Sequence, residues 1–325
     1  MDAVGRSAGR AGDRAVMAQI NEWAPVALFI YKRPEHTRRT ISSLQRCVGY
    51  ADSPVFVFAD GPAHPRDLRE VQGTRALARS LLKDRAVFLE RETNLGVDRS
   101  VIAGVTQLCD QFGRVVVLED DDVVSPLFLQ FLNRGLRQYE GEPRVMQVSG
   151  YMFDVPQLRQ QNEAVFLPIT TTLGWATWKR AWDHFDPAAE GWQARLQDAQ
   201  AQRRFNLDGR FPYSTMLARQ MKRDVGAWDI RWYYTVFARN GLVLFPPRTL
   251  VVNVGIDGSG THDRLALPAH QAPLEMSASF DLPAEVAESW QKVHVFDAIK
   301  TWRKSSALQK LLAILRYALR RAGLR

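Results

Sequence analysis

The segment Val115-Val116-Val117-Leu118-Glu119-Asp120-Asp121-Asp122 decides how the rest of the chain is interpreted. Its four apolar residues, three of them β-branched, predict a fully buried strand, and four consecutive carboxylates follow with no basic residue among them. Ligands of open α/β sheets bind beyond the carboxyl ends of the strands, and Mg²⁺ or Mn²⁺ binds carboxylates together with substrate phosphates. The segment therefore predicts a metal–diphosphate site; the alternative is a solvated acidic turn.

Strand and helix patterns alternate along the first half of the chain around this segment. Strands are predicted at 26–31, 55–59, 86–90 and 114–118, and helices at 35–47, 66–82, 97–112 and from Ser125 or Pro126 to about 140. This alternation predicts an α/β fold with a mainly parallel, Rossmann-like sheet and helices on both faces. The first strand lacks the G-x-G-x-x-G turn of dinucleotide-binding domains, so NAD and FAD are not indicated.

Composition indicates an ordinary globular protein. Of the 325 residues, 46% are hydrophobic and 24% charged. No apolar run is long enough for a spanning helix, and the first residues lack the apolar core of a signal peptide. Only two cysteines occur, Cys47 and Cys109, which argues against a disulfide scaffold or a thiolate zinc site. We therefore expect a cytoplasmic protein.

The two ends of the chain differ from its middle. Residues 1–23, rich in Gly, Ala and Arg, predict a disordered leader. Residues 307–325 place leucines at helical spacing among lysines and arginines with no acid, and the net charge of the chain is +8. This pattern predicts a basic amphipathic helix on the inner face of a membrane, and the alternative is a helix docked on its own domain.

Three further motifs follow the predicted strands. Asp60-Gly61-Pro62 offers a carboxylate for the N3–H of uracil or a ribose hydroxyl, or is a plain Asp-Gly turn. Lys32-Arg33-Pro34 either faces a diphosphate or is an exposed basic turn. Asn94-Leu95-Gly96, before a helix that includes Arg99, either closes over a nucleotide or caps that helix.

The second half of the chain holds tryptophan clusters and a glycine-rich run. In Trp228-Asp229-Ile230-Arg231-Trp232, partial desolvation of Asp229 would raise its pKa and suit it to act as a general base, whereas an N-cap or a partner of Arg231 is the alternative. Most tryptophans are expected in the core, with one or two lining a pocket. The run 253–262 allows close backbone approach, and its His262 is a candidate ligand of a metal or a phosphate.

Taken in order, these motifs resemble a known plan. Ile-Tyr-Lys-Arg-Pro at 30–34, Phe-Ala-Asp-Gly-Pro at 58–62, Asn-Leu-Gly at 94–96 and the acidic segment resemble a GT-A glycosyltransferase. The chain looks most like bacterial family-2-like sugar transferases of surface polysaccharide assembly, and is similar to the Golgi N-acetylglucosaminyltransferase that starts complex N-glycan branching. Residues 172–182, Trp228-Asp229 and the Gly-x-His loop also have counterparts there, so the resemblance covers roughly 25 to 265.

The resemblance implies a role for each matching residue. Asp121 would ligate Mn²⁺ or Mg²⁺. Asp122 is the alternative ligand, because it is a fourth acid at the position where the Golgi enzyme has an apolar residue. His262 would also bind the metal. The nucleotide sugar, with UDP as the expected nucleotide, would contact Arg33, Asp60, Arg99, Glu119 and Asp120. Asp229 would deprotonate the acceptor hydroxyl and invert the anomeric carbon. The acceptor, a glycan or a lipid-linked saccharide, would meet the side that includes Trp175 and Trp228.

The resemblance also divides the chain and ranks the functions. It implies a nucleotide-sugar-binding half at 24–150, an acceptor-binding half at 151–270 and a helical extension at 271–325. A sugar-phosphate nucleotidyltransferase is disfavoured because Tyr31-Lys-Arg-Pro replaces the expected Gly-rich basic loop. A catalytically silent sugar-binding homologue remains an alternative. A nucleic-acid partner is not expected, because many basic residues lie at the termini rather than on one face with exposed aromatics.

Overall fold

A computed structural model describes residues 23–223, 228–255 and 272–301 of the chain. Their strands are β1 Val26–Ile30, β2 Val55–Ala59, β3 Ala86–Glu90, β4 Arg114–Glu119, β5 Asp122–Val124, β6 Val145–Ser149, β7 Val165–Leu167, β8 Trp175–Trp178, β9 Leu242–Phe245 and β10 Val251–Asn253. The helices are α1 Pro34–Leu44, α2 Leu68–Leu82, α3 Val97–Phe112, α4 Phe128–Gln138, α5 Lys179–Trp182, α6 Trp192–Gln197, α7 Ala199–Phe205, α8 Tyr213–Arg223 and α9 Trp228–Ala238.

Eight of the strands form one sheet in the order β3-β2-β1-β4-β8-β6-β9-β7. The strands β3, β2, β1 and β4 are parallel neighbours, and β6 and β9 run in the same direction. Only β8 and β7 run the other way among the described strands of this sheet. The strands β5 and β10 pair with each other in a separate two-stranded ribbon. The predicted α/β fold with a mainly parallel sheet is confirmed.

Helices cover both faces of the sheet, as predicted. Successive residues of each buried strand point to opposite faces, and the side chains on both faces are apolar. Along β1, Ala27 and Phe29 pack into one hydrophobic cluster together with apolar residues of α3 and α9. Val26, Leu28 and Ile30 pack into the other, with apolar residues of α1, α2 and α4. The sheet is therefore buried on both sides, which explains why its parallel strands are nearly continuous apolar runs.

The structure confirms most of the predicted elements and corrects one. The strands 55–59 and 86–90 and the helix 97–112 have the predicted bounds. The helix expected from Ser125 or Pro126 begins at Phe128 instead, because the preceding Asp122–Val124 segment is extended and pairs with Val251–Asn253. The Ser125 hydroxyl accepts a hydrogen bond from the Leu127 amide just before the first turn.

The end of the described chain packs against the body. Residues 292–301 are helical, and Val295, Phe296 and Ile299 are buried in the cluster that contains α9. No helix within the described residues has both the length and the apolar character needed to cross a membrane. The leader before Trp23, the predicted helix 307–325 and His262 lie outside the described residues.

Candidate functional site

The carboxyl ends of three parallel strands meet at one edge of the sheet. β1 lies between β2 and β4, with Phe29 opposite Glu119 and Ile30 opposite Ala59. The residues that follow these strands therefore lie side by side, namely Arg33 after β1, Asp60 after β2 and the acids after β4. This is the edge at which open α/β sheets bind ligands.

We name Glu119, Asp120, Asp121 and Asp122 the acidic cluster. Arg33 forms ion pairs with Asp120 and, at 2.9 Å between Nη2 and Oδ2, with Asp121. Its side chain is only 19% exposed. Burial alone would lower the pKa of Arg33, but the charges of Asp120 and Asp121 raise that pKa above its ordinary value. One guanidinium thus compensates two carboxylates directly.

The other two acids are less well compensated. Asp122 is fully buried, and its Oδ2 accepts hydrogen bonds from the amides of Glu119 and Gly174, each at 3.2 Å. Within the described residues, Asp122 Oδ1 is buried and has no hydrogen-bond partner. Burial, followed by the charge of Asp121, raises the pKa of Asp122 well above its ordinary value. Burial and the three neighbouring acids raise the pKa of Glu119 in the same way.

A segment distant in the sequence, residues 251–255, packs against the acidic cluster. The β5–β10 ribbon brings the chain back so that the Val254 amide donates a hydrogen bond to the Asp121 carbonyl at 2.8 Å. Gly255 then lies so close that a Cβ there would overlap Asp121 Oδ2 and come within 2.8 Å of Arg33 Nη1. A side chain at this place would have to displace the ends of the Asp121 and Arg33 side chains. The predicted glycine-rich run therefore begins against the acids.

The carboxylates fit a divalent cation that takes few protein ligands. No group of three or more His, Cys, Asp or Glu side chains in the described part of the chain is arranged to hold a metal ion. Mg²⁺, however, is commonly bound by one or two carboxylates, with substrate phosphates and water completing its shell. Asp121 retains 12% exposure at its side chain, whereas Asp122 is fully buried. The unpartnered Oδ1 of Asp122 is a further oxygen in the same cluster.

Asp60 fixes the loop that precedes α3. Its Oδ1 accepts hydrogen bonds from the amides of Gly61 and Leu95, at 3.0 and 2.9 Å, and its Oδ2 accepts one from Gly96 at 3.0 Å. The side chain of Asn94 donates to the Gly61 carbonyl at 2.9 Å. Asp60 is 6% exposed as a residue, so its carboxylate holds the loop in place, while its reading of a nucleotide base stays a prediction.

The contacts of Arg75 at this edge were not predicted from the sequence. Arg75 Nη2 donates to the carbonyls of Ala59, Asp60 and Arg91, which ties α2 to the ends of β2 and β3. An arginine within an amphipathic helix gives no sequence signal for such contacts. Arg99, a predicted donor contact, lies exposed in the first turns of α3.

The predicted general base lies at the start of α9. Asp229 is half-buried, and its Oδ1 accepts a hydrogen bond from the Ile230 amide at 2.8 Å. Asp98 Oδ2 accepts one from the Trp228 amide at 3.1 Å, so the first turns of α3 and α9 are joined next to Asp229. Burial, and then the charge of Asp229, raises the pKa of Tyr213. The role of Asp229 as a base stays a prediction.

Four tryptophans form a packed aromatic cluster, and together with Trp178 they are buried, in line with the prediction that most tryptophans lie in the core. Trp175 stacks on Trp228 with ring centroids 5.4 Å apart, and Trp182 and Trp232 pack around them. Trp175 and Trp228 are 0% and 4% exposed. Both indoles therefore lie within the core, and their acceptor-side role stays a prediction.

Comparisons with known proteins add little to this geometry. No protein-family model matches the chain, and no curated protein matches it. Similar solved structures include the mannosyltransferase PcManGT from Pyrobaculum calidifontis in complex with GDP-Man and Mn²⁺, with 11% identity, 71% of this chain and 76% of that chain covered, and a TM-score of 0.33. They also include a mannose-1-phosphate geranyltransferase from Thermus thermophilus, with 12% identity, coverages of 69% and 73%, and a TM-score of 0.32. At these TM-scores neither likeness supports a function.

Proposed function

We propose that this protein is a metal-dependent glycosyltransferase that uses a nucleotide sugar as donor. The observation that supports this most strongly is the arrangement at the carboxyl ends of β1, β2 and β4, where Arg33, Asp60 and the acidic cluster meet. Four carboxylates with one guanidinium leave an excess of negative charge at a ligand-binding edge. A divalent cation together with a diphosphate balances such a site.

Each residue of the edge has a proposed task toward the donor. Asp121, whose side chain retains 12% exposure, would hold the cation, next to the fully buried Asp122 in the sequence. Bound there, the cation would neutralise the charge that develops on the departing nucleoside diphosphate. Arg33 would contact the phosphates through its planar fork of donors. Asp60 would hold the 94–96 loop against the nucleotide, for which UDP is our proposal.

The acceptor side is proposed to centre on Asp229. Its carboxylate would accept the proton of the acceptor hydroxyl as that oxygen attacks the anomeric carbon from the face opposite the nucleotide, so that the configuration inverts. The hydrogen bond from the Trp228 amide to Asp98 would keep α9 in position next to the donor loop. We propose a hexosyl or N-acetylhexosaminyl group as the transferred sugar.

The proposed acceptor is a growing glycan or a lipid-linked saccharide of surface polysaccharide synthesis. The basic sequence of residues 307–325 favours a peripheral membrane location. A sugar-phosphate nucleotidyltransferase fits less well, because α1 begins at Pro34, directly after Arg33, and leaves no room for a Gly-rich loop after β1.

Thermal unfolding with a panel of nucleotides and nucleotide sugars, with and without Mn²⁺, tests the proposal. A ligand at about 100 times its dissociation constant adds about 2.7 kcal/mol of stability. We expect one nucleotide sugar to stabilise the protein only with Mn²⁺, Asp121→Asn to lose this response, and the exposed-site control Asp84→Asn to keep it. No thermal response to any nucleotide would overturn the proposal. In a turnover assay, release of pyrophosphate instead of nucleoside diphosphate would favour the nucleotidyltransferase.

A further inference from the structure

Arg33 occupies the position of a cation within the acidic cluster. Its Nη2 lies 2.9 Å from Asp121 Oδ2 and also pairs with Asp120, while its Nε lies 3.4 Å from Asp120 Oδ2. Its Nη1 lies on the side of Gly255, where a Cβ would approach it to 2.8 Å. The guanidinium is thus enclosed by two carboxylates and the backbone, and 19% of the side chain is exposed.

This position conflicts with a metal ion on Asp121. The oxygen that would bind the ion, Asp121 Oδ2, already accepts the guanidinium of Arg33. Two cations that share one carboxylate oxygen within a few Å repel each other, because the buried surroundings screen their charges poorly. A divalent cation that enters alone must therefore either displace Arg33 or bind weakly beside it.

A nucleoside diphosphate removes the conflict. Its phosphates offer the bidentate, doubly negative partner that a guanidinium binds best. Arg33 is connected to the body through the start of α1, where the Thr37 amide and hydroxyl donate to its carbonyl, so its side chain can turn while its backbone stays fixed. When Arg33 pairs with phosphate, Asp121 is released.

We propose that Arg33 is an exchangeable internal cation, which occupies Asp121 in the nucleotide-free protein and yields it to the divalent cation when a nucleoside diphosphate binds. This inference rests on the proposed function, because it needs a diphosphate-containing donor. Metal and nucleotide then bind cooperatively, and each raises the affinity of the other by the same factor. Direct contact between metal and phosphate also contributes to this cooperativity. The contribution of Arg33 is therefore measured as its effect on metal affinity in the absence of nucleotide.

The test is a titration of the full chain with Mn²⁺ in the absence of nucleotide, followed through the electron paramagnetic resonance signal of free Mn²⁺. We expect Arg33→Gln to bind Mn²⁺ about tenfold more tightly than the wild type, which corresponds to about 1.4 kcal/mol. Arg33→Lys keeps the positive charge and should stay close to the wild type. Arg38→Gln, a matched control that removes an exposed charge paired with Glu35 on α1, should leave the affinity unchanged.

The same titration in the presence of UDP separates the possible failures. Tighter Mn²⁺ binding by the wild type with UDP, and a smaller effect of UDP in Arg33→Gln, is the expected result. Wild-type binding that responds to UDP, with an unchanged or weaker Mn²⁺ affinity of Arg33→Gln, would overturn this inference alone. Absence of Mn²⁺ binding by the wild type even with UDP would overturn the proposed function as well. If Arg33→Gln does not fold, Arg33→Gln/Asp120→Asn, which removes one charge of each sign, replaces it with the same expectations.

Discussion

The acidic cluster and Glu275 are two opposite ways to place carboxylates in a folded chain. Glu275 accepts hydrogen bonds from the amides of Ser277 and Ala278, at 2.8 and 3.0 Å, and from Arg248 Nε at 2.7 Å. Burial works to raise the pKa of Glu275, but these hydrogen bonds outweigh it and lower the pKa to about 2. In the acidic cluster, burial and like charges raise the pKa values of Glu119 and Asp122 instead.

We propose that this difference separates acids that stabilise the fold from acids that bind a ligand. A carboxylate with a donor on each oxygen stabilises the fold and needs nothing more. Four neighbouring carboxylates with one guanidinium between them destabilise the fold, and such a site persists where a ligand supplies the missing positive charge. Substitution of a carboxylate that is hydrogen-bonded like Glu275 should therefore lower the stability of the fold. Substitution within the acidic cluster should instead weaken ligand binding.

The largest effect on stability is expected at Asp60, which lies at the edge of the acidic cluster but is hydrogen-bonded in the manner of Glu275. Asp60→Ala leaves three backbone amides without their acceptor. We expect the free energy of unfolding to fall by about 3 to 5 kcal/mol, measured by urea denaturation. Asp60→Asn keeps one acceptor oxygen and should lose less. A loss below about 1 kcal/mol for Asp60→Ala would contradict the structural role.

Glu275→Gln should show the pH dependence of a well-compensated acid. The pKa of Glu275 lies at about 2 in the folded chain against an ordinary 4.5, so the stability that it adds is present above pH 4.5 and is lost as the pH falls toward 2. Because solvent screens this pair, we expect Glu275→Gln to cost about 1 to 2 kcal/mol at pH 7. The exposed control Glu285→Gln should cost nothing measurable. Equal costs at pH 7 and pH 3 would contradict the assignment.

Asp122→Asn should not lower the free energy of unfolding, in contrast to the substitutions of Asp60 and Glu275. The amide keeps the shape of the side chain and the oxygen that accepts from Glu119 and Gly174, and it cannot carry the negative charge that burial and Asp121 disfavour. We expect the free energy of unfolding at pH 7 to stay equal or rise by about 1 kcal/mol. A loss of more than about 2 kcal/mol in chemical denaturation would show that the charge of Asp122 stabilises the fold.

The smallest effect on stability is expected at Gly255. A methyl group there would meet the ends of the Asp121 and Arg33 side chains, which can shift. Gly255→Ala should therefore change the free energy of unfolding by less than about 1 kcal/mol, yet weaken the Mn²⁺-dependent response to nucleotide in thermal unfolding. Gly141→Ala, where a Cβ meets nothing within 4 Å, is the control. An unchanged response of Gly255→Ala would place the ligand away from this glycine.

Sequence patterns predicted the elements whose signal is local. The apolar run 55–59 and the helical spacing of 97–112 needed no distant partner, and both were right. The Asp122–Val124 strand was missed because its partner, Val251–Asn253, lies far along the chain. Two valines after an acidic run are too short a signal to predict a strand without that partner, so no element was assigned to residues 122–124.

The same distinction holds at the candidate site. Residue types at strand ends predicted that Arg33, Asp60 and the acidic cluster share one edge, since parallel strands align their carboxyl ends. They did not predict that Arg33 pairs with Asp121, nor that Asp98 accepts a hydrogen bond from the Trp228 amide, because both contacts join distant parts of the chain. The sequence around Arg33 and around Asp98 contains no pattern that predicts these partners.

Anomalous diffraction can show directly whether the acidic cluster holds a divalent cation together with a nucleoside diphosphate, as we propose. Crystals grown with Mn²⁺ and UDP should show one strong anomalous peak about 2 Å from a carboxylate oxygen of Asp121, with Arg33 turned from Asp121 toward the phosphates. A peak at another place would contradict the metal site at Asp121, and a cluster in which Arg33 still occupies Asp121 while UDP is bound would contradict the exchange of Arg33.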